Sequence, residues 1–225
     1  MSTSAPSLPH SAPPGAAATT SADRRVRTLG AACVAGGLLG VLISTAQVVH
    51  ATSSATPDEL WRFPWSSGTF VVVGLLWCLS HVLVLAGLVG LRRSGHGGPA
   101  RAAAVGAALA LAGTSLILAG EIAGLTIGDE AEDSSAAGLV GAVYGLGTLV
   151  AVIGLALFGR QVLRTGSWAG WRRWTPLALA GWGTMLLWLP FTPLAPVGAL
   201  LIDSLFIALG VALYTQPSPG RPRRG

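Results

Sequence analysis

The chain alternates between long apolar runs and short polar segments, and this alternation predicts its secondary structure. Six long runs are nearly free of charge: 29–50, 68–91, 102–127, 139–158, 175–189 and 197–214. A helix rises about 1.5 Å per residue, so about 20 apolar residues cross a hydrocarbon core about 30 Å thick. The pattern predicts an all-α protein, a polytopic bundle of six transmembrane helices.

Polar segments flank this block at both ends of the chain. Residues 1–28 are mostly Ser, Ala and Pro, and residues 216–225 are basic and Pro-rich. Such segments bury too little apolar surface to offset their ordering entropy, so we expect two disordered cytoplasmic tails around a membrane domain of residues 29–215. The first run is longer than the apolar region of a signal peptide. We therefore expect a retained helix, with a cleaved signal as the alternative.

The distribution of arginine predicts the orientation of the helices. Basic residues are enriched in the cytoplasmic loops of membrane proteins. If the N-terminus is cytoplasmic, thirteen of the 14 basic residues fall in segments on that side, and Arg62 alone falls outside. Six of the nine acidic residues fall in the two predicted external loops. The pattern indicates a multi-pass protein with both termini inside.

Composition places the chain in the membrane class. Hydrophobic residues make up 52% and charged residues 10% of the chain, against about 25% charged residues in soluble domains. The net charge of +5 would suit nucleic acid, but the arginines are spread over short loops beside apolar runs. Trp168, Trp171 and Trp174 are interleaved with arginines and are expected at the lipid headgroups. No nucleic-acid partner is expected. All basic residues are arginine, which suggests a GC-rich bacterial genome and hence a bacterial plasma membrane.

Polar side chains inside the apolar runs are the candidates for function. Glu121 lies in a run that otherwise has no charge, and a carboxylate there is costly unless it has a partner or a function. Counted from the ends of their runs, Glu121, Asp203 and Tyr144 lie about 9 Å below the external surface. Gln47 and His50 close the first run on the same side. These five residues form a predicted polar layer.

Two interpretations of this layer remain open. If Glu121 and Asp203 approach within several Å, one of them would hold a proton at neutral pH, because like charges repel strongly in a low dielectric. Such a pair would suit a proton-coupled site. Alternatively, each acid is protonated, or bonded to a neighbour such as Tyr144, Gln47 or Arg62, and serves only packing. The packing interpretation is favoured.

His81 and several glycines complete the candidates. His81 lies about 20 Å from the external end of its run, near the midplane and deeper than the polar layer. A hydrogen-bonded packing role is expected there rather than a proton relay or haem ligation. Small residues at helical spacing are predicted to let helices approach closely: Gly36, Gly40, Gly120, Gly124 and Gly128.

Signatures of known enzyme chemistries are absent from the sequence. It contains no Walker sequence, no G-x-S-x-G and no H-E-x-x-H, so no catalytic residue, cofactor or metal site is predicted. The acidic loop 129–133 lacks the ligand spacing of a calcium loop. Cys33 and Cys78 lie within apolar runs and are expected to pack as free thiols.

The layout of the chain resembles that of small multi-pass integral membrane proteins of actinobacteria. The resemblance covers residues 29–214 and rests on layout and composition, in segments such as 77–90 and 171–196. It implies a helical membrane fold and no particular activity.

Two functions of different classes fit these observations better than an intramembrane enzyme, which would need a nucleophile and a base. The leading expectation is a non-enzymatic scaffold or partner subunit in the lipid bilayer, binding other membrane proteins or copies of itself, because the runs are rich in small residues and poor in polar ones. The alternative is a small proton-coupled transporter or permease that uses Glu121 and Asp203. A water-accessible cavity lined by both acids would favour transport, and a dry helix contact would exclude it.

Overall fold

A computed structural model describes residues 14–189 and 195–215, and that part of the chain is helical apart from turns and loops. Six α-helices are found: α1 (Pro14–Ala51), α2 (Ser67–Arg93), α3 (Arg101–Gly124), α4 (Ser135–Thr165), α5 (Thr175–Leu186) and α6 (Ala195–Tyr214). A short 3-10 helix, Gly170–Trp174, precedes α5. The all-α class predicted from the apolar runs is confirmed, and each run overlaps one of the six helices.

Five of these helices are long and apolar enough, by length and composition, to cross a membrane, which is typical of an integral membrane protein. They are α2, α3 and α4 over their whole length, Ser21–Ala51 of α1 and Val197–Tyr214 of α6. The remaining helix, α5, has 12 residues and is about 18 Å long, short of a hydrocarbon core of about 30 Å. The proline-marked turn predicted after it falls largely on residues 190–194, which lie outside the described residues.

The first helix begins well before its apolar run. It starts at Pro14, whereas the sequence predicts a disordered tail through residue 28. Alanine, the best helix former, is frequent in this stretch, and Val26 is buried in the core of the bundle. The helix therefore extends into the polar segment. The predicted disorder of residues 1–13 and of the C-terminal tail 216–225 lies outside the described residues.

The six helices form a closed ring in which neighbours in sequence are neighbours in space. Each helix packs on the next, and α6 returns to pack on α1. The pairs α3–α4 and α1–α6 are the most extensive, and α2 also touches α6 across the ring. Hydropathy could not supply this order, because it reports burial in lipid and not the identity of the neighbour.

Glycines set the closest helix approaches. A Cβ atom on Gly154 of α4 would lie 2.6 Å from the carbonyl oxygen of Gly106 on α3, and one on Gly147 would lie 2.9 Å from that of Gly113. Helices α1 and α6 cross equally closely where Gly30 meets Gly210. Small residues let the backbones touch, and dispersion over these contacts drives helix association in lipid.

The predicted packing glycines divide into two kinds. Gly36 and Gly40 lie one turn apart, yet they face different helices: Gly36 lies against Ser80 of α2 and Gly40 against Asp203 of α6. Ser80 also donates a buried hydrogen bond of 2.9 Å to the Gly36 carbonyl. The other three lie against aromatic rings rather than helix backbones: Gly120 against Tyr144, Gly124 against Trp61 and Gly128 against Phe70.

The outer surface of the ring is apolar, but not every predicted headgroup aromatic reaches it. Leu42 and Leu139 are 66% and 69% exposed, as residues facing lipid would be. Trp171 and Trp174 are about half exposed, whereas Trp168 is buried and stacks on His96 at 4.7 Å. The prediction for Trp168 is therefore wrong. Hydroxyl groups of the same loop donate to the His96 carbonyl and draw the two loops together over this indole.

Candidate functional site

Two loops pair to form a cap over one end of the ring. We call residues 52–66 and 125–134 the loop cap. Its halves are joined by backbone hydrogen bonds from Trp61 to Glu130 (2.9 Å), from Arg62 to Gly128 (3.1 Å) and from Glu132 to Glu59 (2.8 Å). An ion pair of 3.0 Å between Arg62 and Asp129 reinforces them. The cap is thus a paired structure that holds aromatic side chains over the helices.

A first cavity lies beneath the loop cap, and we call it the cap cavity. It measures about 270 Å³ and is bounded on the cap side by Trp61, Phe63 and Trp65. Gln47 of the predicted polar layer lines it as well. Deeper in the bundle, its wall is formed by Trp77, Glu121 and Tyr144.

A second cavity of about 270 Å³, the central cavity, lies inside the helix ring. Helices α2 to α6 all contribute to its wall, which is mostly apolar. Its polar and titratable side chains are His81, Thr114, Glu121, Tyr144, Thr148 and Asp203. Trp77, Glu121 and Tyr144 line both cavities. These three residues therefore form the boundary between the cap cavity and the central cavity.

Glu121 sits in a small polar cluster at this boundary. Tyr144 lines the same boundary as Glu121, and Nδ1 of His81 lies 3.7 Å from the Oε1 atom of Glu121. The same Nδ1 is 3.1 Å from the Trp77 carbonyl. Because a carbonyl only accepts, Nδ1 carries the hydrogen, which leaves Nε2 of a neutral imidazole as a base.

Residue counting placed His81 about 11 Å, or two helical turns, below Glu121. The contact of Gly74 with Leu125 reduces this separation to about one turn, and side-chain direction explains why the two nevertheless meet. In a helix, the Cα–Cβ bond tilts toward the N-terminus. Helix α2 begins at the loop cap, so the imidazole of His81 leans toward the cap. Helix α3 runs the other way, so Glu121 leans away from the cap. Depth counted on Cα positions alone therefore overstated the separation.

Asp203 occupies the opposite side of the central cavity, where α6 packs on α1. It is buried at 5% exposure and accepts a hydrogen bond of 3.4 Å from the buried hydroxyl of Ser44. Its carboxyl group fills the space that a side chain at position 40 would occupy. Glycine at position 40 is thus what allows the carboxylate to lie between α1 and the cavity.

Both acids lie at the same depth in the bundle. Three contacts set the register of the helices: Gly36 with Ser80, Gly40 with Asp203, and Gly74 with Leu125. Moving one helical turn along each helix places both Glu121 and Asp203 at about the level of Trp77. The central cavity therefore presents two carboxyl groups, from non-adjacent helices, to one shared space.

No family model, curated protein or solved structure matches the chain. Its function is therefore inferred from the geometry of the site.

The other members of the predicted layer lie nearer the cap or outside it. Gln47 lines the cap cavity but not the central one. His50 is exposed and stacks on Trp65 with ring centroids 5.1 Å apart, so it packs against the loop cap from the end of α1. Of the five residues predicted as one layer, the structure thus brings Glu121, Asp203 and Tyr144 to the central cavity.

The chemistry available to this site is proton exchange and ion pairing. Within residues 14–189 and 195–215, no three His, Cys, Asp or Glu side chains come together as a metal site would require. Cys33 is buried and donates to the Phe206 carbonyl at 3.3 Å, so it serves the α1–α6 contact. The groups that face the cavity and can change protonation are Glu121, Asp203, His81 and Tyr144.

Proposed function

We propose that the protein is a small proton-coupled permease of a bacterial plasma membrane. One observation carries the proposal: Glu121 of α3 and Asp203 of α6 line the same cavity inside the helix ring. A scaffold would not need this arrangement, since acids that only specify packing lie in sealed helix contacts. Intramembrane carboxylates that face a cavity are typical of substrate and proton pathways.

The size and lining of the cavity support water access to these acids. A buried site holds water when it is polar and large enough, and each water takes about 30 Å³ of liquid volume. The central cavity, at about 270 Å³, has room for several waters as well as hydroxyl, carboxyl and imidazole partners for them. Protons can therefore reach and leave the carboxyl groups through water.

The boundary between the two cavities suggests how solute and proton movements are coupled. Glu121 faces both the cap cavity and the central cavity. When a solute takes the place of the proton on this carboxyl group, the proton passes to water, through which it can also reach Nε2 of His81. When the solute leaves on the other side, a proton returns to the carboxylate. The site thus holds either the proton or the solute.

The proposal includes the topology predicted from arginine. Six spans with both termini in the cytoplasm would place the loop cap outside, with its six acids and Arg62. The contact of Gly30 with Gly210 and Tyr214 puts the start of the first apolar run beside the end of α6, as an even number of spans requires. Helix α5 would cross together with the residues that follow it. Lipid is the expected surrounding, and nucleic acid is not a partner.

Thiol labelling tests water access to the cavity. In a Cys33→Ala, Cys78→Ser background, Thr148→Cys places a thiol on the cavity wall, and Leu149→Cys places one on the outer face, where Leu149 is 44% exposed. In proteoliposomes, a membrane-impermeant cationic methanethiosulfonate should modify position 148 at least tenfold faster than position 149. Equal rates would mean that the cavity is sealed to water, and the permease proposal would then be wrong.

Proton movement tests the transport itself. Proteoliposomes that enclose a pH-sensitive dye are given a panel of small cationic, neutral and anionic solutes. One class should drive proton flux, and Glu121→Gln and Asp203→Asn should each reduce that flux at least tenfold. Asp58→Asn, which removes an exposed carboxyl group of the loop cap, should leave it unchanged. If no solute class moves protons, or the two cavity variants match the native protein, transport is excluded.

A further inference from the structure

The charge of the central cavity narrows the class of solute. Of the described residues that line it, those able to carry charge at neutral pH are Glu121 and Asp203, together with His81 when protonated. The nearest cap arginine, Arg62, is held by Asp129 and Ser67 and lines neither cavity. Among the described residues, the lining of the central cavity therefore has acidic groups and no permanent positive charge. Such a site favours a cation and disfavours an anion.

The walls of the central cavity favour an organic cation over an inorganic one. Ile117, Leu155 and Leu179 give the cavity aliphatic surface, and Trp77 and Phe206 add aromatic rings. Small inorganic cations need several converging oxygen ligands, and no three metal-ligating side chains gather in the part of the chain that the structure describes. An apolar body with one charged nitrogen matches these walls, since aromatic faces attract such cations.

The volume sets the size of the solute. Ligand pockets commonly measure about 300–1,000 Å³, and the central cavity, at about 270 Å³, lies just below that range. A solute with on the order of ten non-hydrogen atoms would fill it, at about 30 Å³ per water-sized group. This corresponds to an amine with a single ring or a short alkyl chain.

The route from the loop cap to the central cavity also combines acidic and aromatic residues. The loop cap carries six acidic residues and one arginine, and a surface of one sign raises the local concentration of the opposite ion. Beneath the cap, Trp61, Phe63 and Trp65 line the cap cavity. A lipophilic cation would thus pass from an acidic surface, through an aromatic chamber, to the carboxyl groups.

We infer that the central cavity binds a small lipophilic amine in its protonated form, with the ammonium group between Glu121 and Asp203 and the apolar body against Trp77 and Phe206. This inference rests on the proposed function and names its substrate class. The ammonium group of the amine occupies the position of the proton on the carboxyl groups. Binding of the protonated amine therefore releases that proton, and binding of the proton releases the amine.

Three probes of matched shape test the inference: phenethylamine, 2-phenylethanol and 3-phenylpropionate. Binding to the full-length protein in nanodiscs is measured by calorimetry. The amine should bind at least tenfold more tightly than the alcohol, and the carboxylate should bind more weakly than either. The amine should also slow the labelling of Thr148→Cys, which locates it in the central cavity. An alcohol that binds as tightly as the amine would overturn the inference, as would an amine that gives no heat and no protection.

Variants separate this inference from the proposal on which it rests. Glu121→Gln and Asp203→Asn should each weaken amine binding at least tenfold and leave the alcohol unchanged, while Asp23→Asn, on α1 and outside both cavities and the loop cap, alters neither. Unaltered thermal unfolding of each variant shows that it is folded. If Thr148→Cys is labelled and a neutral or anionic solute drives proton flux, the permease proposal stands and the amine inference fails. If Thr148→Cys is not labelled, both fail.

Discussion

Replacing Gly154 with alanine should destabilise the protein by forcing α3 and α4 apart. The added methyl group would lie 2.6 Å from the Gly106 carbonyl oxygen and 2.8 Å from the Leu109 carbonyl carbon, with the Ala110 amide nitrogen closer still. All three are backbone atoms of α3, so no side chain can rotate to make room. An ordinary contact begins at 3.4 Å, and the helices would have to separate locally by roughly 0.8 Å.

The size of the effect follows from that separation. A radial gap of about 0.5–1 Å forfeits a quarter to a half of the dispersion energy of the atoms involved, and overpacking of a tight core costs about 1–3 kcal/mol. For a chain of this length, each kcal/mol lowers Tm by about 2–4 °C. Alanine also removes backbone freedom worth about 0.5–1 kcal/mol, so the net loss is at most about 2.5 kcal/mol and Gly154→Ala should lower Tm by up to about 10 °C.

A matched control lies on the same helix. A Cβ atom on Gly145 would meet nothing within 4 Å, so Gly145→Ala only removes backbone freedom and should stabilise α4 by about 0.5–1 kcal/mol. Tryptophan fluorescence during heating of the detergent-solubilised protein measures both Tm values. If Gly154→Ala unfolds at or above the temperature of Gly145→Ala, the close α3–α4 contact is wrong.

Other substitutions test separate parts of the fold. Ser80→Ala removes the buried hydrogen bond to an α1 carbonyl and should cost about 0.5–1.5 kcal/mol by denaturant titration; no loss would mean that α1 and α2 are not in this register. Trp168→Ala should cost about 3–5 kcal/mol because the indole is buried, whereas Trp171→Ala, at a half-exposed position, should cost far less in the same assay. Asp129→Asn breaks the loop-cap ion pair with its 80% exposed carboxylate and should lower stability by less than about 1 kcal/mol; the difference should vanish in high salt.

Hydropathy predicted the helices well because the cost of exposing backbone to lipid leaves few alternatives to a helix. Hydropathy overestimated the length of α5. The apolar run 175–189 contains only 12 helical residues, since a run of apolar residues reports burial and not helix length. It also missed the helical start at Pro14, where helix propensity and the packing of Val26 outweigh the polar composition of the tail.

The two acidic residues of the candidate site could be predicted from the sequence, but the residues around them could not. An isolated carboxylate in an apolar run is informative by itself, so Glu121 and Asp203 could be found without a structure. The contact between His81 and Glu121 could not be predicted, because residue counting ignores both the register of α2 and α3 and the tilt of their side chains. The aliphatic wall residues, such as Leu155 and Leu179, could not be predicted. The sequence does not distinguish a leucine that faces lipid from one that faces a cavity.

The pairing of α1 with α6 has a consequence for biosynthesis. The first helix to leave the ribosome finds its most extensive partner only when the last one has entered the bilayer. Until then, the face of α1 that carries Gly30, Gly37 and Gly40 has no partner helix, and the ring is incomplete. Asp203 reaches its place beside Ser44 in that final step. A nascent chain interrupted before α6 would thus leave the glycine-bearing face of α1 exposed in the membrane. A membrane protease could recognise the incomplete chain by this face.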